Sequence, residues 1–357
     1  MKIVIKIGSN VLCGEKKHLD LSLMRQLVGQ ISALCYEGHQ VILVTSGAVA
    51  GGRGVLKSCE GASKAMLAAV GQVEIMNHYH RFFSEHKMKI AQLLLSPNCF
   101  KNRDRYDALK ETLIELINNQ IVPIINENDA TTMKDSFGDN DSLASMLAVL
   151  YGADKLVFLT NLDGFYSADP KINEKAEIIK EVKSVDIEIQ KMCSKKASSL
   201  GSGGMLSKLR GTKLATTCGV EVYIINGLKP ENLKRLLIEH KLIGTKFLAQ
   251  KGRLSDRKKW LLIGAVSQGK IIVDQGARKA LENKNSLLAV GVRDVRGEFA
   301  SKDFVNISDQ KGEIFALGIT NYGSDDLSRL KTLEDKTSIK EIYPREVVHI
   351  NNLTLLR

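Results

Sequence analysis

The sequence has few of the residues that build metal centres or disulfide frameworks. Its six cysteines stand far apart, so that no CxxC pair occurs, and no cluster of histidines joins them. Closely spaced Cys and His residues are the usual signature of a zinc site, and disulfide frameworks are typical of short secreted chains. We therefore expect no metal held by protein ligands and six reduced thiols.

Long apolar runs are missing as well. The opening residues, MKIVIKIGSN, form a short apolar stretch that Lys6 and Gly8 interrupt, which predicts a buried strand and not a signal peptide. No stretch approaches the roughly 18 apolar residues that a membrane-spanning helix needs. The sequence thus predicts a cytoplasmic protein with no membrane partner.

The chain is long and rich in basic residues. Its 357 residues predict about two domains, and ordinary shares of hydrophobic (44%) and charged (25%) residues indicate that these are globular. Lys and Arg outnumber Asp and Glu by 51 to 40, and this net charge of +11 indicates anionic partners: nucleotides, phosphorylated or carboxylate substrates, or RNA. Basic residues cluster at 195–213 and at 251–259, and only the first cluster flanks a predicted ligand loop.

Apolar strand-like runs alternate with helical patterns through residues 1–247. Because the runs are apolar on both faces, they predict a mainly parallel sheet covered by helices, an α/β three-layer sandwich. The predicted strands lie at 3–7, 41–45, 90–95, 121–126, 155–160 and 220–225, and the predicted helices at 20–36, 63–86, 105–119, after 141 and after 203.

Polar or glycine-rich residues follow four of these strands. They are Lys6–Ser9, Thr45–Gly47, Asn126–Asp129 and Thr160–Asn161. Ligands of open α/β sheets bind at the carboxyl ends of the strands. We therefore expect these segments to line one site.

The pattern changes after residue 247. Residues 248–264 are basic and predict a linker, and residues 265–350 predict a small, mostly-β domain. Its strand-like runs are LLIGAV, KIIVD, SLLAVGV, FVNIS and EIFALGI, the first of which overlaps the linker.

Two features indicate phosphate binding. Residues 201–208, GSGGMLSK, precede a helical pattern, so that backbone N–H groups and Lys208 could contact phosphate oxygens. Lys6 lies inside an apolar strand, where an ammonium group is costly unless it is paired or binds an anion. A plain flexible loop and a lysine that reaches solvent are the alternatives, and the Walker A spacing is absent.

Residues 138–142, GDNDS, place three polar side chains at a predicted helix start. A helix cap explains only one of them. The others are expected to bind a substrate amino group or to orient lysines.

Histidine is absent from the turns that follow the predicted strands. An alcohol that accepts a phosphoryl group usually needs a base, whereas a carboxylate is already ionised at neutral pH. The absence favours a carboxylate acceptor, although an aspartate could also serve as base.

Taken together, these segments resemble the amino-acid kinase family. The matching stretches are VIKIGSNVL (4–12), VILVTSGAVAGGR (41–53), AAVGQ (68–72), VPIINENDA (122–130), GDNDSLA (138–144), ADKLVFLTNLDGFYSADP (153–170) and GSGGMLSKL (201–209). In the tail, RKKWLLIGA (257–265), GKIIVDQGARKAL (269–281) and GITNYGSDDL (318–327) resemble a PUA domain.

The resemblance implies transfer of the γ-phosphoryl group of ATP to the side-chain carboxylate of L-glutamate, the first step of proline biosynthesis. The implied catalytic groups are Lys6 and Lys208, which neutralise the phosphoryl group, and Asp141, which orients both lysines. Ser46, Asp129 and Asn140 would bind glutamate, and Mg²⁺ would be carried by the ATP phosphates. The implied ATP site comprises Lys6, Thr160, Asn161, Ser202, Gly203, Gly204, Met205, Leu206, Ser207 and Lys208.

The resemblance also implies partners: a homo-oligomer (dimer or tetramer), L-proline as feedback inhibitor, and a glutamyl phosphate reductase that consumes the product. Two departures from the family pattern occur. Asn161 stands where the family often has Asp, and the segment between Asp129 and Gly138 is about one residue short, which leaves the sensitivity to proline open.

Two alternatives stay in view. Another kinase of the family could act on N-acetylglutamate or aspartate, but Asp129 and Asn140 fit a free ammonium group. An RNA-binding function is suggested by the tail and the charge, yet it calls for stacking aromatic residues, which make up 5% of the chain with Trp260 as the one tryptophan.

Overall fold

The computed structural model describes residues 1–14, 18–56, 61–131, 139–170, 172–193, 204–250, 252, 254–264, 269–329 and 342–356. The chain divides into two compact units, Met1–Arg253 and Leu254–Arg357. No helix within the described ranges is both long enough and apolar enough to cross a bilayer.

In the described part of the first unit, eight strands form one sheet in the order β3-β4-β2-β1-β5-β7-β8-β6. They are β1 (Lys2–Ile7), β2 (Gln40–Val44), β3 (Lys89–Leu95), β4 (Ile121–Glu127), β5 (Lys155–Thr160), β6 (Glu181–Val182), β7 (Glu221–Asn226) and β8 (Thr245–Phe247). All neighbours are parallel except β7 and β8. Consecutive residues of β1 and β5 are buried, so both faces are covered at the sheet centre. The predicted α/β fold class is confirmed.

Helices connect these strands, and the predicted helices at 20–36, 63–86 and 105–119 are confirmed within two residues at each end. They are α1 (Ser9–Leu12), α2 (Leu21–Tyr36), α3 (Ala48–Val55), α4 (Lys64–Glu85), α5 (Asn98–Lys101), α6 (Arg103–Asn118), α7 (Asn140–Tyr151), α8 (Ile187–Lys191), α9 (Met205–Thr217) and α10 (Asn232–Leu237). Five of these helix starts have a polar side chain that accepts a hydrogen bond from the backbone three residues on: Asp20, Ser63, Asn102, Asp139 and Asp186.

Helix α3 was not predicted, because three glycines in AVAGGRGV give it a low helix propensity. Its backbone packs at close range against α4. A Cβ atom at Gly52 would lie 2.0 Å from the carbonyl oxygen of Leu67, and one at Gly71 would lie 1.8 Å from that of Ala48. The same glycines that weaken the helix therefore allow the contact that stabilises it.

The second unit contains a five-stranded sheet in the order β10-β9-β11-β12-β13, counted over the described residues. Its strands are β9 (Gly269–Val273), β10 (Val292–Arg296), β11 (Phe304–Ser308), β12 (Ile314–Ile319) and β13 (Leu353–Leu355), and its helices are α11 (Asp256–Ile263), α12 (Gln275–Glu282) and α13 (Ser324–Ser328). Only β9 and β11 pair in parallel. A separate apolar core lies around Ile271, Val305 and Phe315, and the predicted mostly-β character is confirmed.

Two runs differ from their predictions: the first half of LLIGAV belongs to helix α11 and not to a strand, and SLLAVGV contains a 3-10 turn and reaches strand β10 only at Val292. The helix also occupies much of the segment expected to be a linker. Ser255 accepts a hydrogen bond from Lys258 N and caps it, and residues 260–263 are buried, with the Trp260 ring 5.1 Å from that of Phe304. A short apolar run does not distinguish a strand from a buried helix.

Candidate active site

Three charged side chains meet at the carboxyl edge of the first sheet. Lys6 lies on the central strand β1, Asp141 on the first turn of α7, and Lys208 on the first turn of α9. The Nζ of Lys6 lies 2.6 Å from Oδ1 of Asp141, and the Nζ of Lys208 lies 2.9 Å from Oδ2. The Asp141 side chain is fully buried, and those of the lysines are only 7% and 11% exposed.

This trio carries one excess positive charge in a buried place. Burial alone would raise the pKa of Asp141, but the ion pairs with Lys6 and Lys208 outweigh it and hold that pKa below its usual value. Burial lowers the pKa of Lys6, although Asp141 opposes the change. A buried site with two ammonium groups and one carboxylate is electrostatically suited to an anion.

Close helix packing brings Lys208 to Asp141. At Gly211, one turn along α9, a Cβ atom would lie 2.2 Å from Oγ of Ser145 and 3.2 Å from the carbonyl oxygen of Asp141. Ser207 Oγ also donates a hydrogen bond to Asp139, the cap residue of α7. The starts of α7 and α9 are therefore held together at two points.

A network of amide side chains continues from the trio. The Nδ2 group of Asn140 donates to the backbone oxygen of Thr45 (2.9 Å), to Oγ of Ser46 (3.0 Å) and to Oδ1 of Asn126 (2.9 Å). Asn126 in turn donates to Oε1 of Gln72 at 2.9 Å. The network joins the ends of β2 and β4 to helices α4 and α7.

A cavity of about 300 Å³ lies beside this network. Its wall includes Ala48, Gln72, Glu127 and Asp129. Asp129 stands at the rim, where desolvation, with a smaller contribution from the charge of Glu127, raises its pKa to about 6. The volume lies at the small end of the roughly 300–1,000 Å³ range of ligand pockets, which suits a compact metabolite.

Comparison with known proteins finds two family models that match this chain. A family model described as the amino acid kinase family matches residues 1–226, and one described as the PUA domain matches residues 269–341. The chain belongs to the amino acid kinase family.

Its relatives in this family align over almost their whole length. A glutamate 5-kinase from Dehalococcoides mccartyi is 38% identical, with 99% of this chain and 98% of that protein covered. A glutamate 5-kinase from Aliivibrio fischeri is 41% identical, with coverages of 92% and 90%.

Two solved structures share the kinase fold. An isopentenyl phosphate kinase has a TM-score of 0.51 at 17% identity and covers 69% of this chain and 100% of its own. The UMP kinase of Bacillus anthracis has a TM-score of 0.50 at 14% identity, with coverages of 70% and 96%. At these identities the likeness shows the fold alone.

The structure brings several of the expected site residues of this family member together. Lys6, Lys208 and Asp141 form the trio, Asn140 contacts Ser46, and Asp129 lines the neighbouring cavity.

Part of the expected ATP site also lies close by. Thr160 ends β5, the strand next to β1, and Asn161 follows it. The Thr160 hydroxyl donates to Oδ1 of Asn161 at 3.4 Å. Gly204 caps α9, and Met205, Leu206 and Ser207 begin it. Ser202 and Gly203 lie outside the described residues, as does the segment 132–138.

Sequence reasoning gave no role to Gln72, although it ends the quoted motif AAVGQ. Asp163 was missed too: its Oδ1 accepts from Asn226 Nδ2 at 2.9 Å and from Lys229 Nζ at 2.8 Å, and these hydrogen bonds, that of Lys229 first, lower its pKa. Only the Asp-Gly pair after β5 could have signalled it.

No group of three or more His, Cys, Asp or Glu side chains in the described ranges is arranged to hold a metal ion.

Proposed function

We propose that this kinase transfers the γ-phosphoryl group of ATP to the side-chain carboxylate of L-glutamate, forming L-glutamyl 5-phosphate and ADP as the first step of proline biosynthesis. The observation that carries the proposal is the buried trio of Lys6, Asp141 and Lys208 beside a small cavity. The full-length relatives named glutamate 5-kinase support the choice of substrate.

In the reaction, a carboxylate oxygen of glutamate bonds to the γ-phosphorus as the bond from that phosphorus to the bridging oxygen of ADP breaks. The acceptor is ionised at neutral pH, so no side chain has to remove a proton. Lys6 and Lys208 neutralise charge on the transferring group, and Asp141 holds both ammonium groups in place. Positioning and electrostatics then supply most of the rate enhancement.

Glutamate is bound by Ser46, Asn140 and Asp129. The Oδ1 atom of Asn140 is buried and has no hydrogen-bond partner among the described residues, so an acceptor is left for the substrate ammonium group. Asp129, in its ionised form, adds a negative charge at the cavity rim. A free ammonium group fits this pairing better than an acetylated nitrogen.

ATP is bound at the ends of β1 and β5 and at the start of α9. Lys6, Thr160, Asn161 and residues 202–208 hold it, and the N-terminus of the 13-residue helix α9 faces its phosphates. Asp141 already accepts from two ammonium groups, which leaves it poorly placed to bind Mg²⁺. The ion would be carried by the phosphates, whose negative charge it reduces.

The partners belong to the same proposal. The chain forms a homo-oligomer in the cytoplasm, L-proline acts as feedback inhibitor, and a glutamyl phosphate reductase consumes the product. The last expectation has a chemical basis, because an acyl phosphate hydrolyses readily in water.

The decisive test is an ATP-dependent assay that traps the acyl phosphate with hydroxylamine. L-glutamate, N-acetyl-L-glutamate and L-aspartate are compared at equal concentrations with the purified full chain. We expect hydroxamate from L-glutamate alone. Activity confined to N-acetylglutamate or aspartate would overturn the proposal.

A further inference from the structure

Gln72 occupies an unusual place, at the end of the amide network and in the wall of the cavity. Its Oε1 accepts from Asn126, which also accepts from Asn140, the neighbour of Asp141 in the chain. The residue is 8% exposed and lies on α4 next to Gly71, where α4 packs closely against α3. Gln72 is thus fixed from one side by the network and from the other by the helix crossing.

The other end of the same side chain lacks a partner. The Nε2 group of Gln72 is buried and makes no hydrogen bond within the described part of the chain. A buried N–H donor without an acceptor is costly, and in native structures such a group usually has a ligand, an ion or a water as partner. Since Gln72 lines the cavity, a molecule bound there can supply the missing acceptor.

The charges of the cavity indicate which acceptor this is. Glu127 and Asp129 stand in the same wall and favour an ammonium group. An α-amino acid carries a carboxylate on the carbon that bears its ammonium group, so a hydrogen-bond donor is needed near these acids. The γ-carboxylate is not available for this role, because it must lie at Lys6 and Lys208.

We propose that the Nε2 group of Gln72 donates a hydrogen bond to the α-carboxylate of the substrate and makes Gln72 a specificity-determining residue for free α-amino acids. The assignment rests on the proposed function. A neutral amide suits the position, because its Oε1 holds Asn126 while its Nε2 contacts the substrate.

The test replaces the hydrogen-bond donor of Gln72 by an acceptor, and the α-carboxylate of the substrate by an amide that can donate. In Gln72→Glu the Oε1 acceptor for Asn126 is kept, and the Nε2 donor becomes a carboxylate oxygen. The substrates are L-glutamate and its α-amide, L-isoglutamine, which keeps the γ-carboxylate. Initial rates are measured at pH 8.5, so that the introduced carboxyl group is ionised, and each KM and kcat is determined separately.

The unaltered enzyme should have a KM for L-glutamate at least about tenfold below that for isoglutamine. In Gln72→Glu, the KM for L-glutamate should rise by about tenfold or more while that for isoglutamine falls or stays constant, with kcat little changed. Asn77→Asp makes the same amide-to-carboxylate change at an exposed position of α4 and should leave the ratio of the two KM values unaltered.

A purely structural role for Gln72 would raise both KM values together and would overturn the assignment, as would an unchanged ratio. If Gln72→Glu does not fold, Gln72→Met removes both the donor and the acceptor for Asn126 without adding a charge, and its KM should still rise more for glutamate than for isoglutamine. An unaltered enzyme that does not phosphorylate L-glutamate would instead overturn the proposed function.

Discussion

Two clusters of charged side chains, one in each unit, differ in their exposure to water. In the first unit, Asp141 is fully buried between Lys6 and Lys208. In the second, Arg278 contacts the carboxylates of Glu282, Asp309 and Glu313, whose side-chain exposure ranges from 15% at Asp309 to 63% at Glu313. Both are clusters of ion pairs, but only the first is fully withdrawn from water.

This difference separates charges kept for chemistry from charges that are solvated. Removing ions from water costs more than their attraction returns unless the geometry is very good, so a buried cluster is weak evidence for stability. Exposed ion pairs are screened and contribute little. We infer that the first cluster is retained for phosphoryl transfer and not for stability.

The largest effect is expected from Lys208→Ala. The change removes one of two ammonium groups that face the transferring phosphoryl group, so kcat should fall on the order of 10³-fold or more. Binding of L-glutamate, measured by calorimetry, should survive, because the proposed glutamate contacts lie in the amide network and the cavity.

The matched control is Lys213→Ala, which removes an exposed lysine from the same helix. Its kcat should stay close to that of the unaltered enzyme. Normal turnover combined with lost glutamate binding in Lys208→Ala would contradict the role given to this lysine.

A second prediction concerns the helix crossing that positions Gln72. In Gly52→Ala the new methyl group would meet the backbone of Leu67, which cannot move aside like a flexible side chain. We expect destabilisation by about 1–3 kcal/mol or more, measured by urea unfolding, together with a raised KM for glutamate.

Gly54→Ala is the control on the same helix, since the nearest atom to its Cβ would be Nδ1 of His18 at an ordinary 3.9 Å. That change should be neutral or stabilise by up to about 1 kcal/mol, because alanine loses less conformational freedom in a helix. Equal losses of stability in the two variants would show that the close crossing is not the cause.

The positions of six strands of the first sheet, the long helices and the polar strand ends could be predicted from sequence, because a continuous apolar run and a 3.6-residue period are local signals. The short strands β6, β8 and β13, and the start of β10, were missed, because two to five residues carry too weak a periodic signal. Lys6 could be singled out because an ammonium group inside such a run is costly. The fold of α3 and α11 could not be predicted in the same way, since packing partners decided both.

Local sequence patterns could not predict which side chains of the site contact each other either. Lys6 and Asp141 are far apart in sequence, and their contact depends on the order of strands in the sheet and on the fit of Gly211 against Ser145. Gln72 read as an ordinary helical residue, because its unpartnered Nε2 atom exists only after α4 has packed against the network. Resemblance to a family supplied roles where spacing alone did not.

A third prediction concerns the pH dependence of glutamate binding. It depends on Asp129, which is neither fully buried like Asp141 nor fully solvated. Its pKa in the free enzyme is raised to about 6. A bound ammonium group favours the ionised form, so glutamate should bind best above pH 6 and more weakly as the pH falls through that value. We expect the KM for glutamate to rise by up to about tenfold per pH unit below 6, measured between pH 5 and 8.

In Asp129→Asn the KM should be high at every pH and the dependence near pH 6 should vanish. Asp141 does not contribute to this dependence, because its pKa lies below its ordinary value and the carboxylate stays ionised in this range. A KM that is constant from pH 8 to pH 5 in the unaltered enzyme would exclude Asp129 from the ammonium site.

The smallest effect is expected from Arg278→Gln in the second unit. The variant loses contacts with three carboxylates, but those of Glu282 and Glu313 are well exposed, and the shift in the urea midpoint should be small. Arg278 also lies 4.8 Å from the centre of the Phe315 ring, so part of any loss would come from packing and not from charge.

Measurements in salt separate the two contributions. At 1 M NaCl the Debye length is about 3 Å, so an ion-pair contribution should shrink while a packing contribution should not. A large loss of stability that persists in salt would mean that Arg278 matters through its contact with Phe315, and the contrast with the buried trio would then be one of packing as well as of charge.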